Sequence, residues 1–108
     1  RMALVPRTLE ARGLDATPPM QAKLAKAGDA RAVAILDIIL RDEVGHVAIG
    51  NHWYHWLCTQ QGLDPLAHYA YLADLHDAPR PRPPFNLDAR ERAGFATDEL
   101  AALTQHQP

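Results

Sequence analysis

The chain has 108 residues, of which 47% are hydrophobic, so it is long enough for one domain with a modest core. Thirteen acidic against eleven basic residues give a net charge of −2, which gives no reason to expect a nucleic-acid-binding protein. The single cysteine, Cys58, excludes a disulfide within the chain and fits a reducing compartment. No signal peptide or transmembrane segment is visible, and we therefore expect a cytoplasmic protein with no membrane partner.

The first quarter of the chain predicts two short helices. Residues 1–12 are rich in apolar side chains, and Gly13 is typical of a left-handed helix end. After a short connection, Thr17 is a good N-cap and Pro18 suits the first position of a second helix. Gly28 would end that helix.

The middle of the chain predicts one unusually long helix over residues 30–61. Asp29 precedes it as an N-cap, and Gly62 follows it as a C-cap. Asp64 begins another cap-and-proline signature, which predicts a helix over residues 65–76.

The last third of the chain combines a proline-rich stretch with short helical patterns. Residues 78–84 contain four prolines and must be extended. Short helices are expected over residues 87–93 and from a cap at Thr97. No strand pattern appears, so the sequence predicts an all-α protein, with a helical bundle over residues 1–78 and a strap with C-terminal helices packing on it over residues 79–108.

Glu43 and His46 are polar residues on the apolar side of the predicted long helix. A helical wheel places Glu43 at the centre of the apolar face and His46 beside it, three residues on. Burying an unpaired carboxylate costs about several kcal/mol, so such a residue needs a partner. Glu-x-x-His on one helix face is the half-site of carboxylate-bridged di-iron and di-manganese bundles. Asp42 would then accept a hydrogen bond from a ligand imidazole. The alternative is a core pair of Glu43 with His46 or with an arginine.

A metal site needs a further carboxylate, and Glu10 on the first predicted helix is the best candidate. Arg12 is the specific rival to a metal, because its charge could pair with Glu10 or Asp42 instead. The sequence contains no serine, and Cys58 has no polar base at helical spacing, so no catalytic nucleophile is predicted. No organic cofactor site is predicted either, since no glycine-rich phosphate loop occurs.

The remaining polar and aromatic residues of the long helix have ordinary interpretations. His52 and His55 lie on its polar side and are expected to be surface imidazoles. Trp53, Tyr54 and Trp56 are expected to serve core and interface packing rather than a substrate cage. Cys58 is expected to be a small core residue.

Four stretches of the sequence carry a resemblance to a known family. They are Arg-Thr-Leu-Glu-Ala-Arg-Gly-Leu-Asp (7–15), Ile-Leu-Arg-Asp-Glu-Val-Gly-His-Val-Ala-Ile-Gly (39–50), Pro-Phe-Asn-Leu (84–87) and Ala-Gly-Phe (93–95). Together they resemble the C-terminal half of uncharacterised bacterial ferritin-like proteins, the domain-of-unknown-function family 455. The resemblance covers nearly the whole chain. It implies a ferritin-like half-bundle with Glu10, Glu43 and His46 as ligands of iron or manganese.

The ligand count implies that this half-bundle is incomplete. Ferritin-like sites use two single Glu residues and two Glu-x-x-His units on four helices. This chain offers one of each, and its start at Arg1-Met2 lies inside a helical stretch. We therefore expect a piece of a longer protein, whose missing N-terminal half, or a second copy in a two-fold homodimer, completes the bundle. Without that completion the site is expected to stay empty.

The function implied by the resemblance is that of a di-iron oxidase or hydroxylase. Related ferritin-like proteins include a tRNA-modifying hydroxylase, so an RNA substrate rests on analogy alone. The alternative is a non-catalytic helical scaffold or interaction domain with a degenerate metal site.

Overall fold

The computed structural model describes residues 4–105, which form helices joined by short connections. A π-helical turn, Val5–Glu10, leads directly into α1 (Ala11–Lys26), followed by α2 (Ala30–Gln61), α3 (Pro65–Leu75), α4 (Leu87–Arg92) and α5 (Thr97–Gln105). No strand occurs within residues 4–105. The all-α prediction, with a long central helix and shorter flanking helices, is confirmed. The predictions for residues 1–3 and 106–108 lie outside the described residues.

Helix α2 is the spine of the molecule. Asp29 caps it by accepting a hydrogen bond from the Ala32 amide at 3.0 Å, and Gly62 ends it at a left-handed φ of +67°, both as predicted. Its 32 residues span about 48 Å, close to the longest dimension of the molecule, 50 Å. Within residues 4–105, no helix combines the length and hydrophobicity needed to cross a membrane.

The caps of α3 and α4 also follow from local sequence. Asp64 accepts from the Ala67 amide at 2.9 Å, and Asn86 accepts from the Ala89 amide at 3.2 Å. Residues 79–82 between these helices are non-helical, as the prolines predicted. The expected cap at Thr97 is wrong. Thr97 lies inside α5. The Glu99 carboxylate accepts a hydrogen bond from the Ala96 amide at 2.9 Å, so the helix begins directly after Ala96.

The predicted break at Gly13 is also wrong. Gly13 lies inside α1, which continues through Thr17 and the two prolines that follow to Lys26. The Thr17 hydroxyl donates to the Gly13 carbonyl at 2.8 Å instead of capping a new helix. A Cβ at Gly13 would lie 3.9 Å from Glu43 Cγ, so α1 packs against α2 here, and this contact favours a continuous helix. Gly28, at φ +82°, follows the helix as predicted.

The apolar core lies between α1, α2 and the C-terminal helices. Its larger cluster consists of six buried residues: Ala11, Leu14, Val47, Ala89, Ala93 and Phe95. A smaller cluster joins the end of α2 to α3 and contains Tyr54 and Cys58, which confirms Cys58 as a core residue. The segment from Phe85 to Glu99 therefore packs onto the first helix and α2 rather than extending away from them.

Candidate metal half-site and its supporting polar network

Glu43 and His46 lie side by side on α2, one helical turn apart. His46 Nδ1 is 3.6 Å from Glu43 Oε2. The Glu43 side chain is 25% exposed and that of His46 is 64% exposed. The expectation that Glu43 lies at the centre of the buried face, with His46 buried beside it, is therefore wrong: the side of α2 that packs inward is centred on Val47 and Tyr54, so Glu43 lies at its border and His46 beyond it.

Glu10 is the last residue of the π-helical turn and is half-buried. Gly13 lies three residues further on and neighbours Glu10 on the helix surface; a β-carbon at Gly13 would lie 3.9 Å from Glu43 Cγ, across the seam between α1 and α2. Glu10 and Glu43 thus border the same seam. Within residues 4–105, no three His, Cys, Asp or Glu side chains come together as a complete metal-binding group. The oxygen and imidazole donors have the chemistry that iron and manganese accept, but their number is insufficient.

Asp42 and Arg12 are exposed. Among residues 4–105, neither side chain forms an ion pair, and the neighbour of the Glu43 carboxylate is the His46 imidazole rather than an arginine. Asp42 precedes His46 by four residues and shares its side of α2. It is therefore placed to approach the imidazole without contacting it in this chain.

An apolar stripe runs along α2 on the side where His46 lies. It consists of large side chains that are each about half exposed: Ile35, Ile38, Ile39, Ile49, Trp53 and Trp56. Their helical spacing places them on one face, with Asp42 and His46 between its two ends. Exposed apolar surface of this kind, with polar residues between its two parts, is typical of a docking interface. Trp53 and Trp56, expected in core or interface packing, are not in the core of this chain.

A buried arginine, which the sequence did not predict, lies one turn before Glu10. The Arg7 side chain is 1% exposed, and its guanidinium pairs with Glu99 of α5. Its Nε donates to Asn51 Oδ1 of α2 at 2.6 Å. Three rings surround its Cζ atom: those of Tyr54, Phe95 and Tyr69, with centroids at 4.4, 4.9 and 5.2 Å. This network joins the π-helical turn to α2, α3 and α5.

The electrostatics of this network follow from burial. Burial lowers the pKa of Arg7 to about 10, so the guanidinium stays charged at neutral pH. His55 Nε2 lies 3.1 Å from Glu99 Oε1, and burial, followed by the charge of Arg7, lowers the pKa of His55. Burial, and then a hydrogen bond with Cys58, raise the pKa of Tyr54. The prediction that His55 is a plain surface imidazole is therefore wrong.

A second buried ion pair lies on the other side of Glu10. The Arg90 guanidinium of α4 binds the Asp15 carboxylate of α1 in a bidentate manner: Nε donates to Oδ1 at 3.0 Å and Nη2 donates to Oδ2 at 2.6 Å. Asp15 Oδ1 also accepts from the Asn86 amide at 2.8 Å. Asn86 in turn caps α4. The Arg90 guanidinium lies 5.3 Å from the Phe95 ring centroid. The short C-terminal helices are thereby fixed to α1.

Sequence reasoning missed this network because charged residues are expected at the surface by default. One signal was available. Asn51 shares a face with Val47, Tyr54 and Cys58, so a wheel centred on Val47 would place an amide in the core. A buried amide requires partners, and Asn51 Nδ2 also donates to the Ala93 carbonyl at 2.7 Å.

Comparison with known proteins identifies a family. Residues 1–101 match the family described as a protein of unknown function, DUF455. An uncharacterised protein of Haemophilus influenzae is 56% identical over 100 residues, which are 93% of this chain but 35% of that protein. The chain thus spans about a third of the relative's length. No solved structure matches it. With the family match across nearly its full length and this relative, the chain belongs to the DUF455 family.

Proposed function

We propose that this chain supplies half of a carboxylate-bridged di-metal centre of the ferritin-like type, with iron or manganese as the metal. The observation that carries the proposal is the pairing of Glu43 and His46 on one turn of α2, at the border between the buried face and the exposed apolar stripe. The Glu43 side chain is partly exposed and that of His46 is mostly exposed, so further ligands can approach them. Glu10, across the seam, is the third ligand of this half.

The other ligands must come from outside this chain. Ferritin-like centres take ligands from four helices, and this chain offers them on two. The apolar stripe gives the missing helices a surface to dock on. They would come from a second copy in a two-fold homodimer or from additional chain of the kind that makes the Haemophilus relative longer.

Each residue has a distinct role in this proposal. Glu43 would hold metal through its carboxylate, and His46 would bind through a neutral ring nitrogen. Asp42 would orient the imidazole by accepting its other N–H. Arg12, exposed on α1, would be the rival to the metal if its charge paired with Glu10 or Asp42 instead. Reduced iron held there would activate oxygen, as expected of an oxidase or hydroxylase.

A scaffold or protein-interaction domain is the second candidate function. Two observations favour it: the Glu43 carboxylate already has the His46 imidazole as a neighbour, and the apolar stripe suits protein docking whether or not a metal binds. In that case the polar pair marks a degenerate site, and its loss would leave partner binding intact.

Metal analysis of the protein expressed from its natural coding sequence distinguishes the metal-site function from the scaffold function. Under reducing, iron-replete conditions we expect about two metal ions per complete site, as in other ferritin-like carboxylate bundles. Glu43→Ala should lose them, whereas Glu91→Ala, which removes an exposed glutamate of α4, should retain them. Failure of the wild-type protein to take up metal would favour the scaffold function.

A further inference from the structure

The two buried ion pairs lie on either side of Glu10 in sequence. They join the π-helical turn and α1 to residues 85–105, which we call the C-terminal segment. Arg7, three residues before Glu10, pairs with Glu99 of α5. Asp15, five residues after Glu10, pairs with Arg90 of α4. All four side chains are at least nine-tenths buried. The helix that presents Glu10 is therefore held at two points by the C-terminal segment.

The π-helical turn before Glu10 is fixed residue by residue. Pro6, Arg7 and Thr8 are consecutive and all buried, which the wider π-helical turn permits. Pro6 packs on Gly50 of α2, and the Thr8 hydroxyl is hydrogen-bonded to that of Tyr69 in α3. A π-helical turn is uncommon and is often found at functional sites. Here the tertiary contacts of Arg7 and its two neighbours account for it.

The Glu10 side chain has no comparable anchor of its own. Among residues 4–105 it forms no side-chain hydrogen bond and no ion pair, although it is half-buried. Its position is therefore set by the backbone of the π-helical turn. That backbone is held mainly through Arg7, the residue in the turn with the largest set of polar and aromatic contacts.

We propose that Arg7 and Glu99 are positioning residues for Glu10. Through them, the C-terminal segment sets where the Glu10 carboxylate lies relative to Glu43 across the seam. The metal consequence of this inference rests on the proposed function, whereas the positioning of the turn does not. Loss of the Arg7–Glu99 pair would let the π-helical turn rearrange, and Glu10 would move with it. Residues that orient ligands commonly change metal affinity by about 10- to 100-fold when they are replaced.

The test compares Glu99→Gln with Asp88→Asn. Both change an acid to its amide within the C-terminal segment, but the Asp88 side chain is 82% exposed and pairs with the exposed Arg92. Hydrogen exchange of the Ala11 amide, which donates to the Pro6 carbonyl and closes the π-helical turn, should become at least tenfold faster in Glu99→Gln and stay unchanged in Asp88→Asn. In the protein expressed from its natural coding sequence, Mn²⁺ affinity should fall about tenfold in Glu99→Gln alone. Both measurements are made where circular dichroism shows every variant to be folded.

The outcomes separate the two ideas. Unchanged exchange in Glu99→Gln would overturn the positioning role. Faster exchange with unchanged Mn²⁺ affinity would mean that the Arg7–Glu99 pair stabilises the turn without positioning Glu10, and it would also overturn the positioning role. A wild-type protein that binds no Mn²⁺ would contradict the proposed function, while the exchange result still decides whether the pair fixes the turn. If Glu99→Gln does not fold, Arg7→Lys replaces it, since lysine keeps the charge but loses the planar fork.

Discussion

Gly50 of α2 lies directly against Pro6, and a β-carbon at this position would overlap the proline ring. This contact brings the π-helical turn close to α2. We expect Gly50→Ala to destabilise the fold by about 1–3 kcal/mol, because overpacking outweighs the gain in helix propensity. The free energy of unfolding in urea, measured by circular dichroism, tests this value.

Gly45 is the matched control for Gly50. It lies in the same helix, five residues earlier, and a β-carbon there would meet no atom within 4 Å among the described residues. Gly45→Ala should therefore stabilise the chain by about 0.5–1 kcal/mol, the ordinary benefit of alanine in a helix. Equal effects of the two substitutions would show that the contact with Pro6 does not constrain position 50.

The buried Arg90–Asp15 pair is expected to matter far more than the exposed pair in the same helix. Arg90→Met should destabilise the chain by about 3–5 kcal/mol, because it leaves the Asp15 carboxylate buried without its partner. Arg92→Met, which breaks the exposed pair with Asp88, should cost about 0–1 kcal/mol. Urea unfolding of both variants measures the difference, and similar losses would mean that burial does not distinguish the two pairs.

His55 should make the stability of the chain depend on pH. Its pKa is lowered from the ordinary 6.5, mainly by burial and then by the charge of Arg7, and Asp98 opposes the shift. The folded state therefore binds fewer protons than the unfolded state below pH 6.5. The stabilisation is complete above pH 6.5 and is lost as the pH falls through the lowered pKa of the folded state.

Thermal unfolding at pH 7.5 and pH 5.5 measures this dependence. The midpoint should fall more between these pH values in the wild-type chain than in His55→Gln. His52→Gln, which replaces an exposed histidine of the same helix, should keep the wild-type dependence. A steeper fall in His55→Gln than in the wild type would contradict the assigned direction of the shift.

The only two tryptophans of the chain, Trp53 and Trp56, both lie in the apolar stripe, so intrinsic tryptophan fluorescence reports on that surface. Each is 47% exposed in the isolated chain, and acrylamide should quench both efficiently. If helices dock on the stripe, the emission should shift to the blue and quenching should weaken as protein concentration rises or when the rest of a longer chain is present. Ile49→Gln, within the stripe, should reduce this protection. Quenching that stays the same under all these conditions would contradict docking at the stripe.

The helix ends that depend on local chemistry were predictable from sequence. Asp29, Asp64 and Gly62 act within a few residues of their own positions, so their side chains and backbone preferences were sufficient. Gly13 and Thr17 carry the same kinds of signal, but packing of α1 against Glu43 overrides them and the helix continues. Local sequence signals therefore failed to predict the helix end where packing against a helix distant in sequence stabilises a continuous helix.

The candidate site was only partly predictable, for a related reason. Glu43 and His46 share one helix turn, so their proximity followed from spacing alone. How far their side chains are buried could not be predicted, because hydrophobic residues lie both on the buried face of α2 and in the apolar stripe. The contacts of Arg7 join residues far apart in sequence, such as Asn51, 44 positions away. No periodicity within one helix encodes such a pair.

The Asp15–Arg90 contact joins residues 75 positions apart, and this separation bears on the order of synthesis. Chains are made from the N-terminus, so the helix that carries Arg7 and Asp15 emerges long before its partners in α4 and α5. Until those helices follow, both charged side chains lack their partners and must stay hydrated. A nascent chain that stalls before Asn86 would leave Ala11, Leu14 and Val47 without Ala89, Ala93 and Phe95, the rest of their core cluster, and we expect such a truncated product to be a target for chaperones and proteases.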